Sequence, residues 1–135
     1  DQFVVIDTAP TGHTLLLLDV TGAFHRQATQ GIDARLHVVT PLMRLQDPAY
    51  SKVIVVTLAE TTPVAEATDL QDDLRRAGIE PYGWVVNATL ANSGTMDPVL
   101  RRRAALEQTQ LDRIADTAAR SWALPWNPDI ATLVV

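Results

Sequence analysis

The sequence predicts an α/β protein, part of a doubly wound parallel sheet with helices on both faces. Two observations predict it. Short continuous apolar runs recur along the chain, and the stretches between them carry apolar residues at helical spacing. Strand and helix alternating in this way are the signature of a parallel sheet joined by right-handed crossovers. A strand buried on both faces of such a sheet reads as an unbroken apolar run rather than as an alternation.

The elements follow in chain order. Phe3–Ile6 is apolar and rich in β-branched residues, and predicts a first strand buried on both faces. Thr14 to Gly22 reads as a helix. The stretch from Gln27 to Gln46 is poorly patterned and admits two readings. It is a lid or partner-facing insertion, as loops of that length commonly are, or it holds a short helix, Leu42 to Leu45, on the sheet edge. Val53–Val56 predicts the second strand. Thr62 as N-cap and Pro63 at the first helical position then open a helix. Its apolar face is Ala67, Leu70, Leu74 and Ala77; Gly78 stops it and Pro81 bars its continuation. Tyr82–Val86 predicts the third strand. Asp97-Pro98 opens another helix, with Leu100, Ala104, Leu111, Ile114 and Ala118 on one face. Trp122–Leu124 predicts the fourth strand.

Composition bounds the function. The 135 residues suit a single domain, residues 1–135, with a real core. The net charge of −5 argues against a broad basic face for nucleic acid. The basic residues are ten arginines and Lys52, and the run Arg101-Arg102-Arg103 reads as a solvated helix face. No apolar run reaches the ~18 residues that span a bilayer, and nothing resembles a signal peptide, so direct membrane insertion is not expected. The absence of cysteine excludes disulfides and thiolate metal sites. The chain starts without methionine, two residues before the first predicted strand, and reads as a piece of something longer.

The densest chemistry lies in "DTAPTGH", Asp7 to His13. In an open parallel sheet, ligands bind outside the carboxyl ends of the strands. Asp7 stands at that end of the first predicted strand, where a nucleotide hydrolase holds Mg²⁺ directly or through water. Thr8 to His13 form a turn into a helix whose first N–H groups favour an anion. Pro10 stiffens the turn, and Gly12 lets backbone approach a ligand closely. The same residues also suit a plain helix start with an N-capping side chain.

The segment "DTAPTGHTLLLLD" resembles the signature of the arsenical pump-driving ATPases, the ArsA family. That family belongs with the MinD-type P-loop proteins, and its wider group includes ATPases that target tail-anchored membrane proteins. The resemblance continues through "TGAFHR" (Thr21–Arg26), "LQDP" (Leu45–Pro48), "ETTPV" (Glu60–Val64) and "DLRRAGIEPYGWVVN" (Asp73–Asn87). It covers nearly the whole chain and looks most like the carboxyl-terminal portion of one ATPase half.

The resemblance implies roles residue by residue. Asp7 matches the aspartate associated with magnesium. Thr11 and Gly12 lie in the switch segment near the terminal phosphate. His13 matches a histidine that the family connects with the metalloid site. Asn87 matches the asparagine that reads the adenine ring, and Leu124-Pro125 matches the backbone flanking the base. ATP and Mg²⁺ are the implied cofactors. The implied partners are the P-loop half of the same protein and a membrane transporter subunit. The implied location is cytoplasmic, peripheral at the inner face of the membrane through that transporter. Removing half of a doubly wound sheet exposes a strand edge and an apolar face, so self-association is also expected.

The sequence departs from the family pattern in places. It has no GxxxxGK[ST], so the phosphate cradle and its lysine are missing and this stretch alone is expected to be inactive. It has no cysteine for a metalloid, and Ala59 stands where the family often has proline. Glu60, at a strand end, reads as structural, and His25 and His37 have no partners at metal spacing. Two functions follow from different classes. One is a fragment of an ATP-hydrolysing ATPase that energises arsenite or anion export. The other is a non-catalytic α/β module that binds a partner or regulates an ATPase. Within the enzyme reading, targeting of tail-anchored proteins is an alternative to export. "LLLLD" and the shortness of the Gln27–Gln46 stretch favour the arsenical branch.

Overall fold

A computed structural model describes residues 2–7, 39–91 and 93–127. The described elements run α1 (Pro41–Gln46), β1 (Ile54–Leu58), α2 (Thr61–Arg76), β2 (Gly83–Thr89), α3 (Pro98–Thr117) and β3 (Ser121–Pro125). The strands form one sheet in the order β1-β2-β3, and both pairings are parallel. The predicted α/β architecture is therefore present, with strands and helices alternating along the chain. The helix expected over residues 14–22 lies outside the described residues. Of the two readings of the stretch ending at Gln46, the short helix is present as α1.

The strand expected at residues 3–6 is not formed. Residues 2–7 belong to no helix or strand, and Phe3, Val4, Val5 and Ile6 are 79–87% exposed. An unbroken apolar run has the composition of a central strand, but a strand also needs neighbours on its edges and cover on its faces. Among the described residues nothing supplies either. The pattern records what the run is suited to meet, and the rest of a sheet is what it would have to meet.

The core lies between the sheet and the two long helices. Val55 of β1, Trp84 and Val86 of β2, Val64, Ala67 and Leu74 of α2, and Ile114 of α3 form one buried cluster. Because the three parallel strands follow one another in spatial order, right-handed crossovers put α2 and α3 on the same face. The opposite face carries Ile54, Val56 and Leu58 of β1 with Trp122 and Leu124 of β3, all exposed. Among the described residues no helix covers it.

Local chemistry explains where the helices begin and end. Helix α2 starts earlier than its Thr62-Pro63 signal. Glu60 is the N-cap, makes no side-chain capping bond, and gives its carbonyl to the Val64 N–H at 3.0 Å. Pro63 then sits at the third helical position, still in the first turn, where a missing N–H costs nothing. The helix stops as predicted at Gly78, whose φ of +76° is a conformation open to glycine. The Ile79 N–H donates to Leu74 O and the Gly78 N–H to Arg75 O, both at 2.9 Å, a Schellman closure. Ile79 and Leu74 then pack together in the core. Just beyond, the Arg75 guanidinium forks onto both Glu80 oxygens and holds that carboxyl below its ordinary value. Helix α3 begins as predicted: Asp97 Oδ1 accepts from the Val99 and Leu100 N–H groups at 2.8 and 3.1 Å, with Pro98 behind it.

One buried polar contact completes the core. Trp84 is fully buried at the centre of the sheet, and its indole N–H needs an acceptor there. Gln71 supplies it from α2, with Nε1 donating to Oε1 at 2.9 Å. Gln71 therefore joins Val64, Ala67 and Leu74 on the buried face. Beside Trp84, Gly83 leaves room for Trp122: a Cβ there would lie 2.6 Å from Trp122 Cζ3 and 2.9 Å from Arg120 O.

These contacts carry two expectations, each read by urea unfolding followed by tryptophan fluorescence. Gly83→Ala overpacks against a ring and a backbone carbonyl and should destabilise by about 1–3 kcal/mol. Asp97→Ala removes an exposed cap and should cost about 1 kcal/mol, without changing the emission of the buried tryptophan.

Candidate functional site

The carboxyl ends of β1, β2 and β3 define the edge where a ligand of a parallel sheet is expected. Three sequence-predicted residues, Asn87, Leu124 and Pro125, meet there. β2 extends past Val86, where the sequence places its end, to Thr89, so Asn87 lies within the strand. It pairs with Leu58 of β1 and is exposed. It also lines a shallow open cleft with Val56, Thr57 and Leu58 of β1 and Pro63, Glu66, Ala67 and Leu70 of α2.

On its other edge, β2 loses register with β3. Val86 faces Ala123, and the next pair is Thr89 with Pro125. β2 thus carries one more residue than its partner between these pairs, and the irregularity is a bulge containing Asn87 and Ala88. Ala88 has φ +54°, in the left-handed region. For a residue with a Cβ this costs about 1–2 kcal/mol. Bulges bend a strand and re-aim a side chain, and they are common beside active sites. Here the bulge lies at the amide that the sequence singles out.

Several bonds hold the strand beyond the bulge. Thr89 is buried, its Oγ1 donates to Leu124 O at 3.4 Å, and its carbonyl accepts from the Trp126 N–H at 2.9 Å. The next residue, Leu90, donates its N–H to Glu107 Oε2 at 2.7 Å. Glu107 lies on α3 and is only 3% exposed. A backbone bond to a charged acceptor contributes about 1.5–3 kcal/mol, the same order as the cost of the Ala88 conformation.

Glu107 does not stand alone. Arg103, one turn earlier on α3, places Nε 3.7 Å from Glu107 Oε1 and donates from Nη2 to Glu60 Oε1 at 2.7 Å. Glu60 follows β1 and caps α2. The Glu60–Arg103–Glu107–Leu90 series therefore ties the exits of β1 and β2 to the start of α2 and the first half of α3. Glu60, read from the sequence as structural, is held here in an ion pair with Arg103. Arg103 is not simply part of a solvated face. Beside it, Gln110 Nε2 reaches Thr61 Oγ1 at 3.5 Å, and Gln110 Oε1 is buried with no partner among the described residues.

Asp7 is exposed, with no hydrogen bond or ion pair among the described residues. Thr11, Gly12 and His13 lie outside the described residues. Among the described residues no cluster of three metal-ligating side chains occurs. Magnesium in nucleotide sites takes one or two carboxylates together with phosphate oxygens, and a single aspartate can meet its share. The exposed amide of Asn87 offers one acceptor and two donors beside Leu124 and Pro125, a set that fits the edge of a purine base. No helix among the described residues is long and apolar enough to cross a membrane.

Comparison with known proteins agrees with the resemblance read from the sequence. The chain is 52% identical over 123 residues to an arsenical pump-driving ATPase of Acidiphilium multivorum, covering 91% of this chain and 21% of that protein. It is 53% identical over 123 residues to an arsenical pump-driving ATPase of Escherichia coli, with the same coverage of both chains. The chain thus spans about a fifth of the length of these curated relatives. Residues 22–121 match the family model described as anion-transporting ATPase. With most of its length inside that match, the chain belongs to the anion-transporting ATPase family.

Proposed function

We propose that this chain supplies the adenine side of the nucleotide site in an ATP-hydrolysing ATPase that energises arsenite or anion export. The observation that carries the proposal is the bulge in β2, which sets Asn87 at the carboxyl edge of the sheet beside Leu124 and Pro125. Family membership supports ATP as the nucleotide. The names of the relatives support the arsenical branch over protein targeting.

In this reading Asn87 holds the base edge by paired hydrogen bonds, and the Leu124–Pro125 backbone flanks the ring. Asp7 holds the hydration shell of Mg²⁺, and Thr11 and Gly12 follow the state of the terminal phosphate. His13 links that state to the transported ion. ATP supplies the phosphoryl group, and positioning and charge neutralisation supply most of the rate. The phosphate cradle and its lysine come from another part of the polypeptide. This chain by itself therefore positions a base and does not hydrolyse ATP. The complete protein works at the cytoplasmic face of the membrane, together with a transporter subunit.

Substitutions in the complete ATPase test the assignment. Asn87→Ala should weaken Mg-ATP by ~tenfold, the value of one or two lost hydrogen bonds, and leave inorganic triphosphate unchanged. Calorimetry reads both, and equal losses would reduce Asn87 to a strand residue. Asp7→Asn keeps size and removes charge. It should leave the melting temperature nearly unchanged and cut turnover at saturating Mg-ATP by roughly two orders of magnitude or more, since one charged contact to a catalytic metal contributes several kcal/mol. Wild-type turnover in a folded Asp7→Asn protein would remove Asp7 from the metal site.

A further inference from the structure

We infer that Glu107 is a positioning residue for base recognition, acting through the β2 bulge on Asn87. The inference rests on the reading of Asn87 given above and assigns a role to a residue that touches no base. Four observations converge. Glu107 is an acid buried on the core side of α3. Its Oε2 accepts from the N–H of Leu90, three residues past Asn87, at 2.7 Å. Between them, Ala88 adopts a φ of +54°, a conformation that persists in a residue with a side chain only where the surroundings impose it. And β2 loses register with β3 across this same segment.

The chemistry of the contact explains why an acid serves here. The Leu90 N–H follows the last strand residue, Thr89, and so lies beyond the ladder to β3. Half-buried there, that N–H needs an acceptor. A carboxylate is the strongest acceptor a side chain offers, but a buried one is tolerated only with a countercharge. Arg103 provides the countercharge, and its own bond to Glu60 fixes it against the end of β1. The result is a chain of polar contacts from the exit of β1 to the exit of β2. It fixes the backbone after the bulge and so the direction in which Asn87 leaves the strand. A side chain without an acceptor at position 107 would leave the Leu90 N–H unpaired, and the bulge would relax toward regular pairing.

The test uses the complete ATPase and two probes, Mg-ATP and inorganic triphosphate, by calorimetry. Glu107→Ala should weaken Mg-ATP by ~tenfold and triphosphate by less than ~twofold, because only the base is lost from register. Glu107→Gln keeps an acceptor oxygen for Leu90 and should restore most of the ATP affinity. Glu107→Ala combined with Asn87→Ala should be no weaker for ATP than Asn87→Ala alone, since the first acts through the second. Thermal unfolding checks each variant. Should Glu107→Ala not fold, Arg103→Met leaves the Leu90 bond in place but frees the carboxylate, and should show the same selectivity at ~threefold. Equal weakening of both probes, or losses that multiply in the double variant, would make Glu107 a purely structural acid and overturn the inference. If Asn87→Ala itself leaves the preference for ATP intact, the base-reading role of Asn87 fails, and the inference built on it fails with it.

Discussion

Strand β2 is paired on both edges, and that constraint organises the rest of the described structure. A parallel strand cannot reach its neighbour by a hairpin, so each pairing requires a crossover, and both crossovers here are helices on the same face. Burial follows from that geometry. Trp84 takes the centre of the covered face, and its indole N–H then needs an acceptor that only a helix residue can bring, which is the role of Gln71. Gly83 follows from the same packing, because Trp122 and the Arg120 carbonyl occupy the space a Cβ would need.

The carboxyl end of β2 departs from this regularity, and the departure is where function is read. One extra residue breaks the pairing to β3 and puts a left-handed alanine beside Asn87. The cost is of the order of a single good hydrogen bond, and Glu107 provides one, strengthened by charge. The exposed ion pair between Glu60 and Arg103 contributes little to stability by itself, about 0–1 kcal/mol at most. Its value lies in direction: it fixes the guanidinium that accompanies a buried carboxylate.

Much of the fold was legible in the sequence. The apolar runs at 53–56, 82–86 and 122–124 marked the strands, and Gly78 and Asp97 marked a helix end and a helix start. What escaped has physical reasons. The run at 3–6 has the composition of a central strand, but composition cannot say whether neighbouring strands are at hand. The end of β2 was misplaced because a bulge carries no simple pattern; Asn and Ala after a strand read equally well as a turn. Glu107 left a usable trace. The apolar positions 100, 104, 111 and 114 on α3 skip one place in their helical spacing, and an acid fills it. A charge within a buried stripe is a sign that a backbone N–H or a cation waits opposite. Gln71 on α2, across from a buried tryptophan, left a trace of the same kind. The site was legible only in part: Asn87, Leu124 and Pro125 share one edge, whereas Asp7 is exposed in no helix or strand and Thr11, Gly12 and His13 lie outside the described residues.

In the proposed site a strained bulge, held from behind by a buried acid, aims Asn87 at a purine base. The most direct measurement is a structure of the complete ATPase with a non-hydrolysable ATP analogue and Mg²⁺. The Asn87 amide should lie within about 3.2 Å of the adenine edge, with Ala88 still at positive φ and Glu107 still bonded to the Leu90 N–H. An adenine ring bound away from the β2 exit, or a β2 that runs straight through position 88 when nucleotide is bound, would contradict it.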